Sequence, residues 1–311
     1  MVILITEPKD YSEKALQIFR SLGEVYFGGA PREDAKILVV RLGYKIGSSW
    51  MDKMPNLKII ATPTTGLNHI DMEEAEKRGI KIISLRGHTA FLERITSTAE
   101  ETLALMLALV RKLPWAFDDV KRGNWNRDAF KGHQLAEKTL GILGLGRLGK
   151  MVARYGHALG MKVIASDPNV TADEMKQLGV GYVSMEELFR SADILSVHVL
   201  LTDETKNLVK ERHLKLMKPE AVLINTARAE IIERGALEKA LKEKWIAGAA
   251  VDVMWDEEGD GGHLKNSSLL EYAKINSNLL IAPHFGGATY EAMQITEEFI
   301  ADLVKKELTS L

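Results

Sequence analysis

The stretch TLGILGLGRLGK, residues 139–150, determines how this chain folds. It begins as a short apolar strand, passes through Gly144-x-Gly146-x-x-Gly149 and enters a helical pattern. Gly144 allows a tight turn, Gly146 lets the backbone approach a pyrophosphate, and Gly149 lets the helix pack on the strand. The helix N-terminus adds free N–H groups and a positive dipole end. Because glycine-rich turns are common, the flanking sequence has to support the prediction of a dinucleotide site.

An acidic residue follows the next strand of the same unit. The strand MKVIAS (161–166) leads into Asp167, about 18 residues past Gly149. A carboxylate there accepts hydrogen bonds from the ribose hydroxyls and repels a 2′-phosphate, so Asp167 favours NAD over NADP. The alternative is that Asp167, which precedes Pro168, only forms a turn. The whole unit of strand, turn, helix, strand and acid predicts an NAD site.

Composition limits the other functions that this chain can have. The 311 residues carry a net charge of −2 without a long basic run, so nucleic acid and anionic membranes are not expected partners. No cysteine is present, which excludes disulfides, thiol catalysis and cysteine-ligated metal. The N-terminus MVILITEPKD lacks a basic leader, and the longest apolar run, Leu103–Val110, is too short to span a membrane. We expect a cytoplasmic protein of two domains.

One irregular stretch, residues 256–268, is rich in possible metal ligands. These are Asp256, Glu258, Asp260 and His263. Their spacing matches no ligand template, so we predict an exposed loop and no metal site.

The first ninety-odd residues alternate apolar strands with amphipathic helices. Strands are predicted at 2–6, 37–42, 57–63 and 81–84, and helices at 11–23 and 69–79. This rhythm indicates a parallel, doubly wound sheet that is covered on both faces. The region has no glycine fingerprint, so it is not a second dinucleotide site.

A long helical pattern follows, from Thr96 to Lys121. Thr98 and Glu101 fit a capping box near its start, and Pro114 is expected to kink or divide the helix. The apolar stripe of this helix is compatible with ordinary core packing or with contact to a partner subunit.

The glycine-rich unit opens a second α/β region. Its further strands are predicted at 181–183, 194–199, 221–226, 246–253 and 279–283, with a helix at 236–244 and a final helix after Pro283. The predicted fold class is α/β, with two doubly wound parallel-sheet (Rossmann-like) domains and an interdomain cleft. We assign residues 1–95 and 286–311 to a substrate-binding, flavodoxin-like domain, and residues 96–285 to the NAD-binding domain. Because ligands of such sheets bind beyond the carboxyl ends of the strands, the cleft is the expected site.

Three polar residues are candidates for the chemistry. A nicotinamide cofactor carries the hydride, so the protein has to supply binding, orientation and a proton. A histidine beside a carboxylate suits the proton transfer, and the fork of an arginine suits an acid substrate. Arg228, Glu257 and His284 each follow a strand of the second region. Since polar residues at strand ends are also common in ordinary loops, their position alone leaves both interpretations open.

Five segments of the chain, taken in order, resemble those of a known protein family. They are TLGILGLGRLGK (139–150), VHVLLTDETKNLV (197–209), INTARAEIIERGAL (224–237), AGAAVDVMWDE (247–257) and APHFGGATYEA (282–292). In this order they resemble the D-isomer-specific 2-hydroxyacid dehydrogenases, which include phosphoglycerate, glyoxylate/hydroxypyruvate and D-lactate dehydrogenases. The similarity covers nearly the whole chain. It implies an NAD-dependent oxidoreductase, a homodimer, that transfers a hydride between NAD(H) and a small D-2-hydroxy acid or 2-keto acid of the glyoxylate/hydroxypyruvate or phosphoglycerate type.

The resemblance also implies roles for individual residues. Arg228 would bind the substrate carboxylate and polarise the C2 oxygen, His284 would be the acid/base, and Glu257 would keep His284 protonated for reduction. Asp252 would lie at the nicotinamide. The implied cofactor contacts are Gly144, Gly146, Arg147, Leu148, Gly149, Asp167, Thr226, Ala227, Arg228, Asp252, His284, Gly286 and Gly287. The loop TPTTG (62–66) would bind the substrate carboxylate through its backbone N–H groups, with Thr64, Thr65 and Gly66 as the candidates.

Some positions leave alternatives open. His198, in a loop after a strand, is a further candidate for NAD binding, although its ring may equally serve packing or a backbone hydrogen bond. Ala229 and Leu200 stand where the family usually has glycine and proline, and the segment 87–95 is longer than usual, which leaves the substrate open. An NAD(H)-sensing corepressor on the same scaffold is one alternative function. A formate or phosphite dehydrogenase is another, but the formate enzymes usually have Gln at the position of Glu257.

Overall fold

The computed structural model describes residues 1–257 and 261–309. Contacts between Cα atoms divide the chain into two units. The first contains Met1–Ile95 and the C-terminal residues from Ala288 onwards, and the second contains Thr96–Glu257 and His263–Gly287. The division into a substrate-binding and an NAD-binding domain with the limits given above stays a prediction.

A five-stranded parallel sheet forms the centre of the first unit, in the order β2-β1-β3-β4-β5. Its strands are β1 Val2–Ile5, β2 Glu24–Phe27, β3 Ile37–Val39, β4 Ile59–Ala61 and β5 Lys81–Ile83, and its first helices are α1 Glu13–Leu22, α2 Ser48–Met51, α3 Met72–Lys77 and α4 Thr89–Leu92. Apolar residues alternate between the faces of the sheet, with Ile3 and Ile5 on one face and Leu4 on the other. Because both faces are covered, the inner strands are nearly continuous apolar runs.

The edge strand β2 was not predicted from the sequence. Its residues EVYF are only partly buried or exposed, so it lacks the continuous apolar run that marks the inner strands. Helix α1 begins inside the predicted range 11–23 because Ser12 caps it. The Ser12 hydroxyl accepts a hydrogen bond from the backbone N–H of Ala15 at 3.3 Å.

A seven-stranded parallel sheet forms the centre of the second unit, in the order β12-β11-β10-β9-β6-β7-β8. Its strands are β6 Thr139–Leu143, β7 Lys162–Ser166, β8 Gly181–Tyr182, β9 Ile194–Val197, β10 Val222–Asn225, β11 Gly248–Val251 and β12 Leu279–Ile281. Its helices are α5 Ser97–Val110, α6 Leu113–Lys121, α7 Arg147–Ala158, α8 Ala172–Gln177, α9 Met185–Ser191, α10 Glu211–Leu214, α11 Ala236–Lys242 and α12 Ser268–Ile275. Alternate strand residues again serve opposite faces: Leu195 and Val197 lie in one core, and Ile194 lies in the other.

The strand order reverses between β6 and β9. From β6 the chain continues to β7 and β8 on one side of the sheet, and β9 then pairs with the other side of β6. In a doubly wound sheet the ligand crevice lies at the carboxyl ends of the strands where this reversal occurs. The glycine-rich turn after β6 and the segment that begins with His198 after β9 therefore border the expected dinucleotide site.

The long helix predicted from Thr96 to Lys121 is two helices. The break falls at Lys112, whose backbone is left-handed with φ +54°, and Pro114 occupies the first turn of α6, where its missing N–H is not needed. The predicted capping box of Thr98 and Glu101 is wrong. Thr96 is the N-cap residue and makes no side-chain cap hydrogen bond, so Thr98 and Glu101 both lie inside α5.

The last helix, α13 Tyr290–Thr309, belongs to the first unit and packs on α1. Its buried side includes Glu297, whose Oε2 accepts a hydrogen bond from the backbone N–H of Ser12 at 2.7 Å. This bond ties the end of the chain to the N-cap of α1. Among the helices of the described residues, none has the length and apolar character that a membrane span requires.

Candidate active site

The glycine-rich turn between β6 and α7 has little room for side chains. Gly144 has φ +91°, and a Cβ on it would lie 2.9 Å from the backbone C and O of His198. A Cβ on Gly149 would lie 2.2 Å from the carbonyl oxygen of Gly144, so the helix can approach the turn only with glycine there. By contrast, a Cβ on Gly146 would meet nothing within 4 Å. Gly146 is the N-cap of α7 and has no capping side chain, which leaves open space at a helix N-terminus, as a pyrophosphate requires.

Asp167 holds this turn from the end of β7. Its Oδ2 accepts a hydrogen bond from the backbone N–H of Leu145 at 2.7 Å, and its Oδ1 accepts one from Asn169 at 2.8 Å. The bond from Asn169 closes the local turn that was the alternative interpretation of Asp167. The bond from Leu145 also links Asp167 to the glycine-rich turn. Contact with a ribose stays a prediction for this carboxylate.

Other predicted cofactor residues follow β9 and β10. The His198 ring lies 2.7 Å from the Ser196 hydroxyl, and burial lowers its pKa to about 4, so the ring is neutral. The Thr226 hydroxyl lies 2.8 Å from that of Thr102 on α5. The backbone N–H of Ala227 donates to Asn225 Oδ1 at 3.0 Å. All of these contacts are made within the protein, and they hold the loops after β9 and β10 in place. The binding of NAD by these residues stays a prediction.

At the start of α7, Arg147 and Leu148 are partly buried. Burial lowers the pKa of the Arg147 guanidinium. A guanidinium with reduced hydration is well suited to a phosphate, because less water has to be removed when the anion binds. The contact of both residues with the pyrophosphate stays a prediction.

Arg228, Glu257 and His284 follow the adjacent strands β10, β11 and β12. Parallel neighbours end at the same edge of the sheet, so the loops that carry the three residues leave from one edge. His284 Nδ1 lies 2.5 Å from Glu257 Oε2, and Glu257 Oε1 accepts a hydrogen bond from the backbone N–H of Met254 at 2.6 Å. The structure thus orients the imidazole by a carboxylate that is itself fixed by the backbone.

The charges of this cluster act on one another. Burial alone would raise the pKa of Glu257, but the hydrogen bond and charge of His284, with a contribution from Arg228, hold that pKa below its usual range. Glu257 is therefore ionised at neutral pH and can accept a hydrogen bond from the imidazole beside it. Burial lowers the pKa of the Arg228 guanidinium, although an arginine keeps its charge at neutral pH. Arg228 Nη1 also donates to the carbonyl oxygen of Ala227 at 2.7 Å.

Asp252 supports the turn that carries His284. His284 has a left-handed backbone with φ +53°, which is unfavourable for a residue with a side chain. The two residues after it are held by one carboxylate: Asp252 accepts hydrogen bonds from the backbone N–H groups of Phe285 and Gly286, both at 2.9 Å. The N–H of Gly286, a predicted cofactor contact, is therefore used inside the protein. A Cβ on Gly287, by contrast, would meet nothing within 4 Å.

The predicted substrate loop follows β4 in the first unit. The Thr64 hydroxyl donates to the carbonyl oxygen of Gly66 at 2.8 Å and lies 3.0 Å from the hydroxyl of Thr62. Within the described part of the chain, no backbone acceptor is bonded to the N–H groups of Thr65 and Gly66. This suits the predicted binding of a carboxylate by these N–H groups, which stays a prediction.

Two polar residues beside the site were not predicted to belong to it. Asn225 accepts from the N–H of Ala227 and donates its amide to the carbonyl oxygen of Arg228 at 3.0 Å, so it shapes the loop that carries Arg228. Glu101 on α5 is buried near Asp252. An acid within the predicted helix was the available signal for Glu101, but it was interpreted as part of a capping box.

The predicted metal-free loop is only partly described. Asp256 pairs with Arg234 at 2.5 Å, whereas Glu258 and Asp260 lie outside the described residues. In residues 1–257 and 261–309, no three side chains of the metal-binding types come together as a metal site.

The chain is similar to known proteins over most of its length. Residues 103–286 match the family model for the NAD-binding domain of the D-isomer-specific 2-hydroxyacid dehydrogenases. A D-3-phosphoglycerate dehydrogenase of Methanocaldococcus jannaschii is 36% identical over 98% of this chain and 57% of its own length. A glyoxylate reductase of Thermococcus litoralis is 38% identical over 87% of this chain and 78% of its own length.

Solved structures show the same fold. The D-lactate dehydrogenase of Aquifex aeolicus, complexed with NAD and lactic acid, superimposes with a TM-score of 0.85 at 29% identity, over 100% of this chain and 96% of that one. The chain therefore spans a little over half of the phosphoglycerate dehydrogenase and nearly all of the lactate dehydrogenase chain. The predicted α/β fold, the predicted family and NAD as cofactor are confirmed. The chain belongs to the D-isomer-specific 2-hydroxyacid dehydrogenases, a family of NAD-dependent oxidoreductases.

Proposed function

We propose that this chain is a cytoplasmic dehydrogenase that interconverts a small D-2-hydroxy acid and its 2-keto acid, of the glyoxylate/hydroxypyruvate or phosphoglycerate type. The observation that carries the proposal is the pair His284 and Glu257, with Arg228 after the neighbouring strand. A proton carrier, its orienting carboxylate and a cation for an acid substrate are what this reaction requires of a protein. Relatives named as glyoxylate reductases and phosphoglycerate dehydrogenases support the substrate class.

The residues would divide the work as follows. The glycine turn and the start of α7 would hold NAD, which would supply the hydride chemistry at C2 of the substrate. Arg228 binds the substrate carboxylate and polarises the C2 oxygen with its fork of N–H donors. The N–H groups of Thr65 and Gly66 are proposed as further donors to that carboxylate. His284 removes the hydroxyl proton during oxidation and returns it during reduction.

Glu257 orients His284 for this proton transfer. Its ionised carboxylate lies beside Nδ1 and, by accepting a hydrogen bond from Nδ1–H, fixes the tautomer and the orientation of the ring. The exchangeable proton is then carried by Nε2, the nitrogen on the other side of the ring from Glu257.

A panel of 2-keto acids tests the proposal. Oxidation of NADH would be followed with glyoxylate, hydroxypyruvate, pyruvate, 3-phosphohydroxypyruvate and a bulky aromatic acid, and formate and phosphite would be offered with NAD⁺. We expect turnover with a subset of the keto acids and at least about tenfold lower kcat/KM with NADPH, because Asp167 would repel a 2′-phosphate. Tight NADH binding without turnover of any acid would contradict the proposal and favour the corepressor alternative. Turnover of formate or phosphite alone would also contradict the proposal and would favour a formate or phosphite dehydrogenase.

We further propose a homodimer that uses the surface of α6. Leu113, Phe117 and Val120 on this helix are exposed, as is Trp125 just after it, and Phe117 and Trp125 are 61% and 88% exposed. Large exposed apolar residues that lie close together are typical of a protein interface. Light scattering should give twice the mass of one chain, and Phe117→Asp should shift the protein towards the monomer. A wild-type protein that stays monomeric at micromolar concentration would contradict the proposal.

A further inference from the structure

Glu101 is an acidic residue on the buried side of α5. It is only 9% exposed. Among the described residues, no donor is hydrogen-bonded to either of its carboxyl oxygens. A buried carboxylate without donors is very unfavourable. A polar partner or a bound proton therefore has to compensate for its burial.

The polar group beside Glu101 is the carboxylate of Asp252. Both carboxyl groups converge on Gly286: a Cβ built on this glycine would lie 2.2 Å from Glu101 Oε2 and 3.2 Å from Asp252 Oδ2. Two ionised carboxylates only accept hydrogen bonds and repel each other. One proton between them removes the repulsion and makes Glu101 a donor to Asp252.

The electrostatics agree with this geometry. Burial, and then the charge and hydrogen bond of Asp252, raise the pKa of Glu101 to about 8. Glu101 is thus mostly protonated at neutral pH. Asp252 remains the acceptor that the backbone N–H groups of Phe285 and Gly286 require.

We infer that Glu101 is a positioning residue of the proposed reaction: as a neutral acid it donates to Asp252, and so holds the backbone turn that fixes His284. The inference rests on the proposed function for its effect on turnover. Its physical basis is that His284 has a left-handed backbone, and such a conformation persists only where the surrounding structure enforces it. When Glu101 ionises, a second negative charge enters the same buried space. The repulsion then displaces Asp252 from the turn.

Other charged groups surround this pair. Helix α5 packs against α6, α7, β10, β11 and β12. The titratable residues of α7 are Arg147, Lys150, Arg154, Tyr155 and His157, and those of α6 are Asp118, Asp119 and Lys121. After the strands follow Arg228 (β10), Asp252 (β11) and His284 (β12). Of these, only Asp252 contributes to the pKa of Glu101, whereas Arg228 interacts with Asp252. Ionisation of Glu101 therefore reaches the site through Asp252.

Two substitutions of Glu101 separate charge from packing. Glu101→Gln keeps the size and a donor but does not ionise, so we expect kcat at pH 7 within about threefold of wild type. We also expect the fall of kcat above pH 8 in the wild type to disappear in this variant. Glu101→Leu fills the space without a donor and should lower kcat about tenfold or more at all pH values, because His284 is misplaced. The KM for the acid should change less, since Arg228 is untouched.

The neighbouring acid provides a matched control. Glu100 is exposed on the same helix and accepts a hydrogen bond from the Thr96 hydroxyl at 2.5 Å. Glu100→Gln should leave both kcat and its pH profile unchanged. If Glu101→Gln retains the alkaline fall of the wild type, or Glu101→Leu has normal kcat, the inference is wrong.

Two measurements need neither cofactor nor substrate. Infrared spectra at pH 7 should show a protonated carboxyl band that Glu101→Gln lacks and Glu100→Gln keeps. The melting temperature of Glu101→Gln should rise relative to wild type as the pH increases from about 5 to about 8, since the folded wild type holds a proton that the unfolded chain has released. If no keto acid is turned over, these two results still decide the state of Glu101. The absence of both effects overturns the inference.

Discussion

Replacing His284 with alanine should lower kcat by roughly a thousandfold, the range of a lost general acid/base, while NADH still binds. The imidazole lies 2.5 Å from Glu257, so its orientation is fixed before substrate arrives. In the proposed reduction it would donate the proton that the C2 oxygen needs, and without it this proton would have to come from water. Single-turnover absorbance of bound NADH with a keto acid measures this step directly. NADH fluorescence titration measures the binding.

An exposed histidine serves as the control. His133 lies at the surface, outside the strand-end loops, so His133→Ala should leave kcat unchanged. His284→Ala with turnover near that of wild type would show that another group transfers the proton, and the proposed function would lose its main support. If NADH binding is also lost, the turn after β12 has collapsed. In that case His284→Gln, which retains side-chain volume, becomes the variant to compare.

The sequence predicted the fold, and it indicated the candidate reacting residues, for physical reasons. The glycine at position 149 is recognisable in the sequence because a side chain there would prevent α7 from lying against the Gly144 carbonyl oxygen. Strands such as β9 and β10 are buried on both faces, and so they appear as apolar runs. Arg228, Glu257 and His284 are recognisable because polar side chains directly after such strands collect at one edge of the sheet.

Other features depend on contacts between residues that are distant in sequence. Glu101 and Asp252 are 151 positions apart, and only the folded sheet brings their carboxyl groups together. The sequence around Glu101 matched the local rule for a capping box, which predicted a helix start that the structure does not have. The predicted strands 221–226 and 246–253 extended too far for a related reason. An apolar pattern indicates which residues are buried and not whether they lie in a strand. The last residues of these two runs are buried in the loops that follow the strands, and Asp252 is hydrogen-bonded there.

Replacing Arg228 should have the other large effect. Arg228→Ala should lower kcat/KM by roughly a thousandfold, which corresponds to about 4 kcal/mol, with both a higher KM and a lower kcat. The guanidinium would contact the carboxylate in the ground state and the C2 oxygen as its charge develops, so its loss affects binding and chemistry together. Burial lowers the pKa of Arg228, which means that its charge is poorly hydrated and gains much from an anionic partner. Steady-state kinetics with the preferred keto acid check this expectation.

Lysine at the same position distinguishes charge from geometry. Arg228→Lys keeps a cation but not the planar fork, and lysine cannot bind a carboxylate and the C2 oxygen with one rigid group. We therefore expect it to restore KM more than kcat, and added guanidinium ion to restore part of the activity of Arg228→Ala but not of Arg228→Lys. Arg234, which is exposed and paired with Asp256, is the control: Arg234→Lys should change kcat/KM by less than about twofold. If Arg228→Lys is as active as the wild type, a point charge is sufficient at this position. The fork of Arg228 would then not orient the substrate.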